Sequence, residues 1–286
     1  MIVSQFRMSR RTIAIAAALA GTVSLAIGAH AALNMRALDA AKAVETEQAE
    51  QGAKKGTRLA LIVGNGHYPD ASEPLSQPIN DARALSGALR RDGFDVDVVE
   101  DATKDDMARA VERLKSKIGQ DSVVMLFFGG YAAQSGRESY MIPVDATIWR
   151  ESDVRREGVS VESVLEAVKE QGAKAKLAVI DASRRNPYER RFRSFSHGLA
   201  PIAAPNNALV LTSAAPGKVA DDGDGQNSAL VAELLRNLDA GTVGAQAAFN
   251  KTRVAISSAS DGEQVPTVSS SLLEDVRFGE SQNAGG

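Results

Sequence analysis

Short runs of almost continuously apolar residues recur along this chain, separated by segments with a different periodicity. Predicted strands at residues 59–63, 123–128, 176–180 and 208–213 are dominated by such runs. Continuous apolar character is typical of strands that are buried on both faces, as in a parallel sheet covered by helices. This feature predicts an α/β fold, in which a mainly parallel sheet has helices on both faces.

Apolar residues at helical spacing predict the helices that cover this sheet. One helix is expected near residues 80–91, with Gly93 just past its end. Thr103 and Asp106 have the spacing of a capping box and predict the start of the next helix, and Ser160 is expected to cap a later one. The other predicted elements are strands near residues 94–99 and 275–278, an extended segment at 138–144, and helices near 230–238 and 245–256.

Two of the predicted strands end in polar motifs. Residues 129–134 have the sequence Gly-Gly-Tyr-Ala-Ala-Gln, and residues 181–187 have the sequence Asp-Ala-Ser-Arg-Arg-Asn-Pro. The carboxyl ends of parallel strands meet at one edge of a sheet, where the functional loops of α/β proteins cluster. Both motifs are therefore expected along the same edge of the sheet.

Both motifs resemble strand ends of the caspase-like peptidases, and in particular of their bacterial metacaspase and orthocaspase branch. The corresponding family motifs are similar to Tyr-Ala-Gly-His-Gly and Asp-Ala-Cys-Arg-Asp-Asn-Pro. The resemblance implies that Tyr131 stands in the place of the general-base histidine and Ser183 in the place of the nucleophilic cysteine. It also implies that Asp181 corresponds to an aspartate that helps line a pocket for a basic Arg or Lys side chain.

The resemblance covers residues 58–278 and is not confined to the two motifs. It implies a caspase-like three-layer sandwich around a mainly parallel six-stranded sheet. Further short segments match the family in their order and spacing. These segments are Gly64-Asn65 with Tyr68, Asn80-Asp81-Ala82, Pro143-Val144-Asp145-Ala146 and Asn227-Ser228.

The two replacements remove the usual chemistry of a cysteine peptidase. The chain contains no cysteine, so no thiolate can act from elsewhere in the sequence. A serine hydroxyl is a much weaker acid than a thiol, and a tyrosine, with a pKa of about 10, is a poor proton acceptor at neutral pH. Losing members of such a catalytic unit costs other hydrolases as much as ~10⁶ in turnover. Tyr131 and Ser183 are therefore expected to be an inactive remnant of the dyad.

Alternatives remain open for the residues near this edge. Ser183 could pair with His67, in the loop after the first strand, with Asp181 or Asp145 orienting the imidazole. Asp181 could instead cap the turn that follows its strand. The arginines after Ser183 could form an anion-binding or partner-docking surface, or only a solvated loop. They are Arg184, Arg185, Arg190, Arg191 and Arg193.

Composition excludes several classes of function. A formal net charge of −3 argues against a dedicated nucleic-acid-binding protein. The lack of cysteine excludes disulfides and thiolate metal sites, and three histidines are too few for a histidine-rich metal site. Residues 221–225 lack the full ligand set of a calcium loop, and residues 64–66 lack the lysine of a phosphate-binding loop. No metal and no cofactor are expected.

The first 31 residues have the features of a targeting segment. Three arginines precede an uncharged, alanine-rich stretch at residues 12–28, and Ala29-His30-Ala31 matches a small-x-small cleavage pattern. The segment is predicted to be a signal peptide or, if it is not cleaved, an N-terminal membrane anchor. The predicted divisions are residues 1–31 as this leader, 32–56 as a polar linker, 57–278 as the caspase-like domain and 279–286 as a disordered tail.

Together these observations favour an exported caspase-family protein, periplasmic or anchored in the inner membrane and facing the periplasm. It is expected to be catalytically inactive and to bind a peptide or protein partner, either a basic segment or an active caspase-like relative. No nucleic acid is expected as a partner, and the inner membrane only if the leader is uncleaved. The alternative is a weak endopeptidase that cleaves after Arg or Lys with Ser183 as its nucleophile.

Overall fold

A six-stranded sheet forms the centre of the protein, which is described from a computed structural model. The structure describes residues 57–69, 74–185, 187–188, 198–220, 225–238 and 243–278. Two smaller sheets, of three and two strands, accompany the central one. In chain order the strands are β1 (Arg58–Gly64), β2 (Asp95–Glu100), β3 (Val123–Gly129), β4 (Ala132–Ser135), β5 (Glu138–Met141), β6 (Val159–Ser160), β7 (Ala175–Asp181), β8 (Ala208–Thr212), β9 (Val243–Gly244), β10 (Thr267–Ser270) and β11 (Arg277–Phe278).

The central sheet has the strand order β10-β8-β7-β3-β1-β2. Neighbouring strands are parallel except for β10, which runs antiparallel to β8 at one edge. The predicted mainly parallel six-stranded sheet is therefore confirmed. β3 and β7 are neighbours in the middle of the sheet, with Gly129 opposite Asp181. The two polar motifs consequently leave the sheet side by side.

The burial of the strands agrees with their apolar sequences. All residues of β7 are buried, and in β1 and β3 only the first residue is not. Because successive side chains of a strand point to opposite faces, Leu59, Leu61 and Val63 of β1 join one apolar core. Ala60 and Ile62 join a second core on the other face. Two cores require two helical layers.

Helices cover both faces of the sheet, as predicted. They are α1 (Gln77–Arg91), α2 (Lys104–Lys117), α3 (Glu151–Glu157), α4 (Val161–Glu170), α5 (Ala229–Leu238) and α6 (Ala245–Ala259). Leu114 of α2 and Leu165 of α4 are buried in the core on one face. Leu85 of α1, Leu234 of α5 and Phe249 of α6 are buried in the other. Each such side chain contributes about 1.5–3 kcal/mol when it is fully removed from water.

Two helices begin where capping signals place them. The N–H of Asp106 donates to Thr103 Oγ1 at 3.2 Å, and the N–H of Thr103 donates to the Asp106 carboxylate at 3.2 Å. The capping box of α2 therefore forms with aspartate in place of the usual glutamate. Ser160 Oγ accepts the N–H of Ser163 at 3.1 Å and caps α4 in the predicted way.

The first helix and the last strands differ from the sequence predictions. α1 begins at Gln77 rather than near residue 80, because Pro78 fits the first turn of a helix, where a missing N–H costs no hydrogen bond. The sixth strand of the central sheet is β10, whereas the strand predicted at residues 275–278 forms β11 and pairs with β9. β10 has the sequence Thr-Val-Ser-Ser and lies half-exposed at the sheet edge, so no apolar run marks it.

Several predictions concern residues outside the described ranges. They are the leader at residues 1–31, the linker at 32–56, the tail at 279–286, the aspartates at 221–224, and Arg190, Arg191 and Arg193. In the part of the chain that the structure does describe, no helix is both long and apolar enough to cross a membrane.

Candidate functional site

The loops that follow β3 and β7 form the candidate site. The N–H of Gly130 donates to the carbonyl of Asp181 at 3.3 Å and joins the two strand ends. Gly130 has a φ of +153°, and a Cβ at this position would lie 2.5 Å from the Tyr68 hydroxyl oxygen. The close approach excludes any larger residue. The turn directs the chain into Tyr131.

Tyr131 is half-buried against a second tyrosine. Its N–H donates to the hydroxyl of Tyr68 at 3.0 Å, and its carbonyl accepts the N–H of Ile142 at 2.9 Å. The rings of Tyr68 and Tyr131 meet edge to face, with 4.9 Å between their centroids. Burial above all raises the pKa of Tyr68 far above its ordinary value. Tyr68 therefore remains neutral and fixes the backbone of Tyr131 through its hydroxyl.

Ser183 is completely buried in the loop after β7. Its N–H donates to Ser213 Oγ at 3.2 Å, and its carbonyl accepts the N–H of Ala220 at 2.6 Å. These bonds fix the backbone, but Ser183 Oγ has no hydrogen-bond partner among the described residues. A serine nucleophile needs a base within about 2.6–3.2 Å. No described residue supplies one here.

His67 does not pair with Ser183 in this structure. Its side chain is 68% exposed, and its Nδ1 lies 2.6 Å from Asp101 Oδ2. The other carboxylate oxygen of Asp101 accepts the N–H of His67 at 2.9 Å. Asp145, one of the two carboxylates expected to orient the ring, instead accepts the N–H of Lys104 at the start of α2. The suggested Ser183–His67 arrangement is therefore wrong, and Asp101 is the residue that orients the imidazole.

Arg184 is a part of the site that the sequence did not predict. It belongs to the arginine run that suggested an exposed surface or solvated loop, yet it is buried, with 4% exposure. Its guanidinium donates to the carbonyl of Gly130 at 3.1 Å and to the carbonyl of Asp181. Arg184 thus ties the ends of β3 and β7 together, a role suited to a planar group with several donors. The next residue, Arg185, is exposed.

The carboxylate of Asp181 is buried and only partly satisfied. Nη2 of Arg184 lies 3.7 Å from Asp181 Oδ2, which brings the two charges close but is too far for a hydrogen bond. No described residue donates a hydrogen bond to this oxygen. A buried carboxylate oxygen without a donor retains the capacity to bind one.

A second buried carboxylate belongs to Asp81 on α1. In the sequence analysis Asp81 appeared only within the segment Asn80-Asp81-Ala82, which matches the family. It accepts hydrogen bonds from Asn227 Nδ2 at 2.8 Å and from the N–H of Ser228 at 3.0 Å. Burial and, after it, the negative charge of Asp181 raise the pKa of Asp81 to about 6. We call Asp81 and Asp181 the acidic pair. The signal in the sequence was an aspartate on the apolar face of a helix, one turn before Leu85.

The position of α1 brings the acidic pair together. The first turn of the helix lies over the strand ends, since a Cβ on Gly129 would be only 3.2 Å from Pro78 Cβ. Gly129 is the register partner of Asp181 in the sheet. Asp81 follows Pro78 by about one helical turn. Helix α1 therefore carries its carboxylate to the edge where β7 ends.

Residues 225–228 are bound along α1 by side chains of the helix. Gln77 Nε2 donates to the carbonyl of Gly225 at 3.2 Å, and Asn80 Nδ2 donates to the carbonyl of Gln226 at 3.0 Å. Together with Asn227 and Ser228, which donate to the Asp81 carboxylate, these side chains hold the segment next to the acidic pair.

Asn65 explains another of the short motifs. Its buried side chain accepts the N–H of Ala102 at 2.8 Å and donates to the carbonyl of Ile142 at 3.2 Å. It links the loop after β1 to the chain just after β2, at Ala102, and just after β5, at Ile142. The glycines on either side of Asn65 pack closely against α1 and Leu75, just before it. A Cβ at Gly64 would lie 2.4 Å from the carbonyl oxygen of Pro78, and a Cβ at Gly66 would lie 2.4 Å from that of Leu75. This loop is structural.

The chemistry available at this edge follows from these groups. It contains two buried carboxylates, a buried guanidinium and a buried hydroxyl, all described above. Among the described residues, no group of three or more His, Asp or Glu side chains is arranged to hold a metal ion. Carboxylates that are buried together bind a cationic group in preference to a neutral or anionic one.

Known proteins resemble this chain in sequence and in fold. Human mucosa-associated lymphoid tissue lymphoma translocation protein 1 is 27% identical over 134 residues, and its mouse homolog is 28% identical over 134 residues. The aligned part is 46% of this chain but 16% of each relative, so the chain spans only a small part of their length. The crystal structure of caspase-1 from Spodoptera frugiperda superimposes with a TM-score of 0.56 at 15% identity.

The match to that caspase covers 81% of this chain and 93% of the other, which establishes a shared fold. The sequence profile of the caspase domain matches residues 57–277, which is most of the chain. That range begins just before β1 and ends in β11, so it contains the whole central sheet. The chain therefore belongs to the caspase domain family.

Proposed function

We propose that this chain is an exported, catalytically inactive caspase-family protein, related to the bacterial metacaspase and orthocaspase branch, that binds a basic segment of a partner protein. In this proposal Tyr131 and Ser183 occupy the positions of the family's histidine and cysteine, and we call them the hydroxyl pair. The observation that carries the proposal is the buried Ser183 hydroxyl, which has no base among the described residues.

Inactivity follows from the acidities of the hydroxyl pair. A phenol with a pKa of about 10 is almost fully protonated at neutral pH and accepts a proton poorly. The alcohol of Ser183 needs a stronger base than a thiol does, because it is a weaker acid. His67, the base that the sequence suggested for Ser183, is engaged by Asp101 and does not hydrogen-bond to Ser183. Attack on a peptide bond thus lacks both its nucleophile and its base.

Binding of a basic segment follows from the acidic pair. Arg184 compensates the charge of Asp181 from within the protein, at 3.7 Å. The hydrogen bonds that reach Asp81 come from the amide of Asn227 and the N–H of Ser228, which are neutral. Two buried carboxylates with one cation beside them among the described residues favour a second cation, and an arginine or lysine side chain of a bound segment would provide it.

Binding can be measured by fluorescence anisotropy with an acetylated, amidated, dye-labelled peptide that contains one arginine. We expect saturable binding that is lost when glutamate replaces the arginine, and Asp181→Asn should weaken it at least tenfold. The matched control is Asp121→Asn. Asp121 is exposed just before β3, at the end of that strand away from the site, and asparagine tolerates its φ of +65°. Equal binding of the arginine and glutamate peptides would refute the proposal.

Activity can be measured with reporter peptides that release a dye after Arg or Lys. The purified protein should show no turnover above that of Ser183→Ala. Turnover that disappears in Ser183→Ala would support the alternative, a weak endopeptidase with Ser183 as nucleophile. Capture of an active caspase-like relative by the immobilised protein, with no affinity for basic peptides, would favour that relative as the partner.

Export is a separate part of the proposal, based on the leader sequence at residues 1–31. Fractionation of bacteria that express the full chain should place it in the periplasm, or in the inner membrane if the leader is retained. N-terminal sequencing of the mature protein would show cleavage after Ala31. Recovery of full-length protein only from the cytoplasm would contradict export.

A further inference from the structure

The two carboxylates of the acidic pair differ in the charge of the groups beside them. Asp181 has a guanidinium beside it, whereas the hydrogen bonds to Asp81 come from neutral donors. Both carboxylates are almost fully buried. Two ionised carboxylates in one buried place repel each other, and the one without a cation is the easier to protonate.

The groups that face Asp81 come from three parts of the fold. On the helix of Asp81, the neutral side-chain amides of Gln77 and Asn80 bind residues 225 and 226. The cationic Arg83 of the same helix is exposed and pairs with Glu100 at 2.6 Å. The described charged groups next to Asp81 are therefore those at the end of β7. Among the described residues these groups are Asp181 at the end of β7, with Arg184 beside it, and Asn227 and Ser228 before α5, while Gln77 and Asn80 on α1 bind the segment that carries Asn227 and Ser228.

We propose that in mildly acidic solution the acidic pair holds one proton when the site is empty, and that it exchanges this proton for the cationic side chain of a bound segment. Binding would then strengthen as the pH rises. This inference rests on the function proposed above, since it concerns the same basic ligand. In the exchange, the carboxyl O–H bond of Asp81 breaks, the proton goes to solvent, and the resulting carboxylate faces the guanidinium or ammonium group.

The burial of the acidic pair favours cation binding with loss of the proton over cation binding to the protonated pair. The site is buried, so a cation that entered while Asp81 was protonated would meet a neutral carboxyl beside an aspartate that already has Arg184. A cation that enters after deprotonation meets an uncompensated charge, which is a stronger interaction in a place of low dielectric. Burial and the charge of Asp181 give Asp81 a pKa of about 6, which sets the range in which the exchange is seen.

The size of the effect follows from linkage. If binding requires the ionised form, the affinity falls about tenfold for each pH unit below the pKa and is constant above it. With a pKa of about 6, the affinity at pH 5 should be about one tenth of that at pH 8. Binding should release close to one proton at pH 5 and almost none at pH 8.

The test combines two measurements on the unchanged full-length protein. The first is anisotropy with an acetylated, amidated peptide that contains one arginine and no other titratable group. Its label should be tetramethylrhodamine, because that dye does not titrate between pH 5 and 8. The second is calorimetry of the same peptide in buffers of different ionisation enthalpy, which counts the protons released on binding. A tenfold affinity difference with release of about one proton at pH 5 is the expected result.

Variants locate the proton. Asp81→Asn keeps an oxygen that can accept from Asn227 and Ser228 but cannot titrate, so its affinity should be the same at pH 5 and pH 8. The control Asp121→Asn should keep the tenfold difference. If Asp81→Asn does not fold by circular dichroism, the calorimetric proton count on the unchanged protein still decides the matter.

The outcomes separate this inference from the function on which it rests. Equal affinity at pH 5 and pH 8 without proton release would overturn proton exchange and leave the binding function intact. Absence of binding of the arginine peptide at every pH would overturn the binding function and this inference with it. A pH dependence that persists in Asp81→Asn would overturn the assignment of the exchanged proton to Asp81.

Discussion

The hydroxyl pair and the acidic pair lie at the same edge of one sheet but differ in how their reactive atoms are surrounded. Around the hydroxyl pair, the hydrogen bonds go to the backbone: Tyr68 holds Tyr131, and Ser213 holds Ser183. In the acidic pair, Asn227 and Ser228 donate to the carboxylate of Asp81 itself, and the guanidinium of Arg184 lies 3.7 Å from the carboxylate of Asp181. A neutral side chain can be exchanged on a fixed backbone at little cost, whereas a buried charge needs its partners. The comparison indicates that substitution is easier at the positions of the hydroxyl pair than at those of the acidic pair.

Introducing histidine and cysteine at the hydroxyl pair gives the largest expected effect. The double variant Tyr131→His/Ser183→Cys should cleave arginine reporter peptides at least ~10³-fold faster than the unchanged protein, because thiolate and imidazole act as a unit. Release of the dye measures this rate. Each single variant should remain at the background rate and serves as the control. An inactive but folded double variant would show that the loss extends beyond the hydroxyl pair.

Removing Arg184 tests how much its charge and hydrogen bonds contribute to the stability of the fold around the acidic pair. Arg184→Ala should lower the free energy of unfolding by about 3–5 kcal/mol, since it leaves Asp181 buried without its cation and removes the bonds to two carbonyls. Urea denaturation measures the change. Adding Asp181→Asn to the same chain should recover part of the loss. The matched control Arg185→Ala, at an exposed position, should change the stability by less than about 0.5 kcal/mol.

Neutralising Asp81 tests the energetic cost of placing two carboxylates together. The pKa of Asp81 is raised from 3.8 to about 6, so the folded protein binds this proton more tightly than the unfolded chain. The free energy of unfolding should therefore fall, relative to Asp81→Asn, as the pH rises from 4 to 7, by up to about 3 kcal/mol. Parallel urea titrations of the two proteins measure this difference. A difference that is constant with pH would be incompatible with a raised pKa.

Replacing Gly130 tests how firmly the backbone of the hydroxyl pair is fixed. Gly130→Ala should destabilise the protein by about 2 kcal/mol, because the new Cβ would collide with the Tyr68 hydroxyl. Gly93→Ala is the control, since Gly93 also has a positive φ but has open space around it, and should cost about 1 kcal/mol. Thermal unfolding compares the two. Equal costs would mean that the contact with Tyr68 does not restrict this turn.

The sequence by itself determined the architecture of the central sheet. Strands buried on both faces must be apolar throughout, so β1, β3, β7 and β8 were visible as short runs, and capping residues marked the starts of α2 and α4. These signals are local, since each depends on residues close together in the chain. The family resemblance, which the caspase-domain match confirms, implied a mainly parallel six-stranded sheet, whereas the strand order came from the structure. The roles assigned to Tyr131 and Ser183 stay predictions.

Only the tertiary structure decided the environment of the charged residues. Arg184 is adjacent in sequence to exposed Arg185, yet it is buried because the ends of β3 and β7 present two carbonyls to it. Asp81 and Asp181 are a hundred positions apart and meet only because α1 packs over the strand ends. Burial and charge coupling depend on which distant segments pack together. A pattern of neighbouring residues cannot encode them, and they determine what this edge of the sheet can bind.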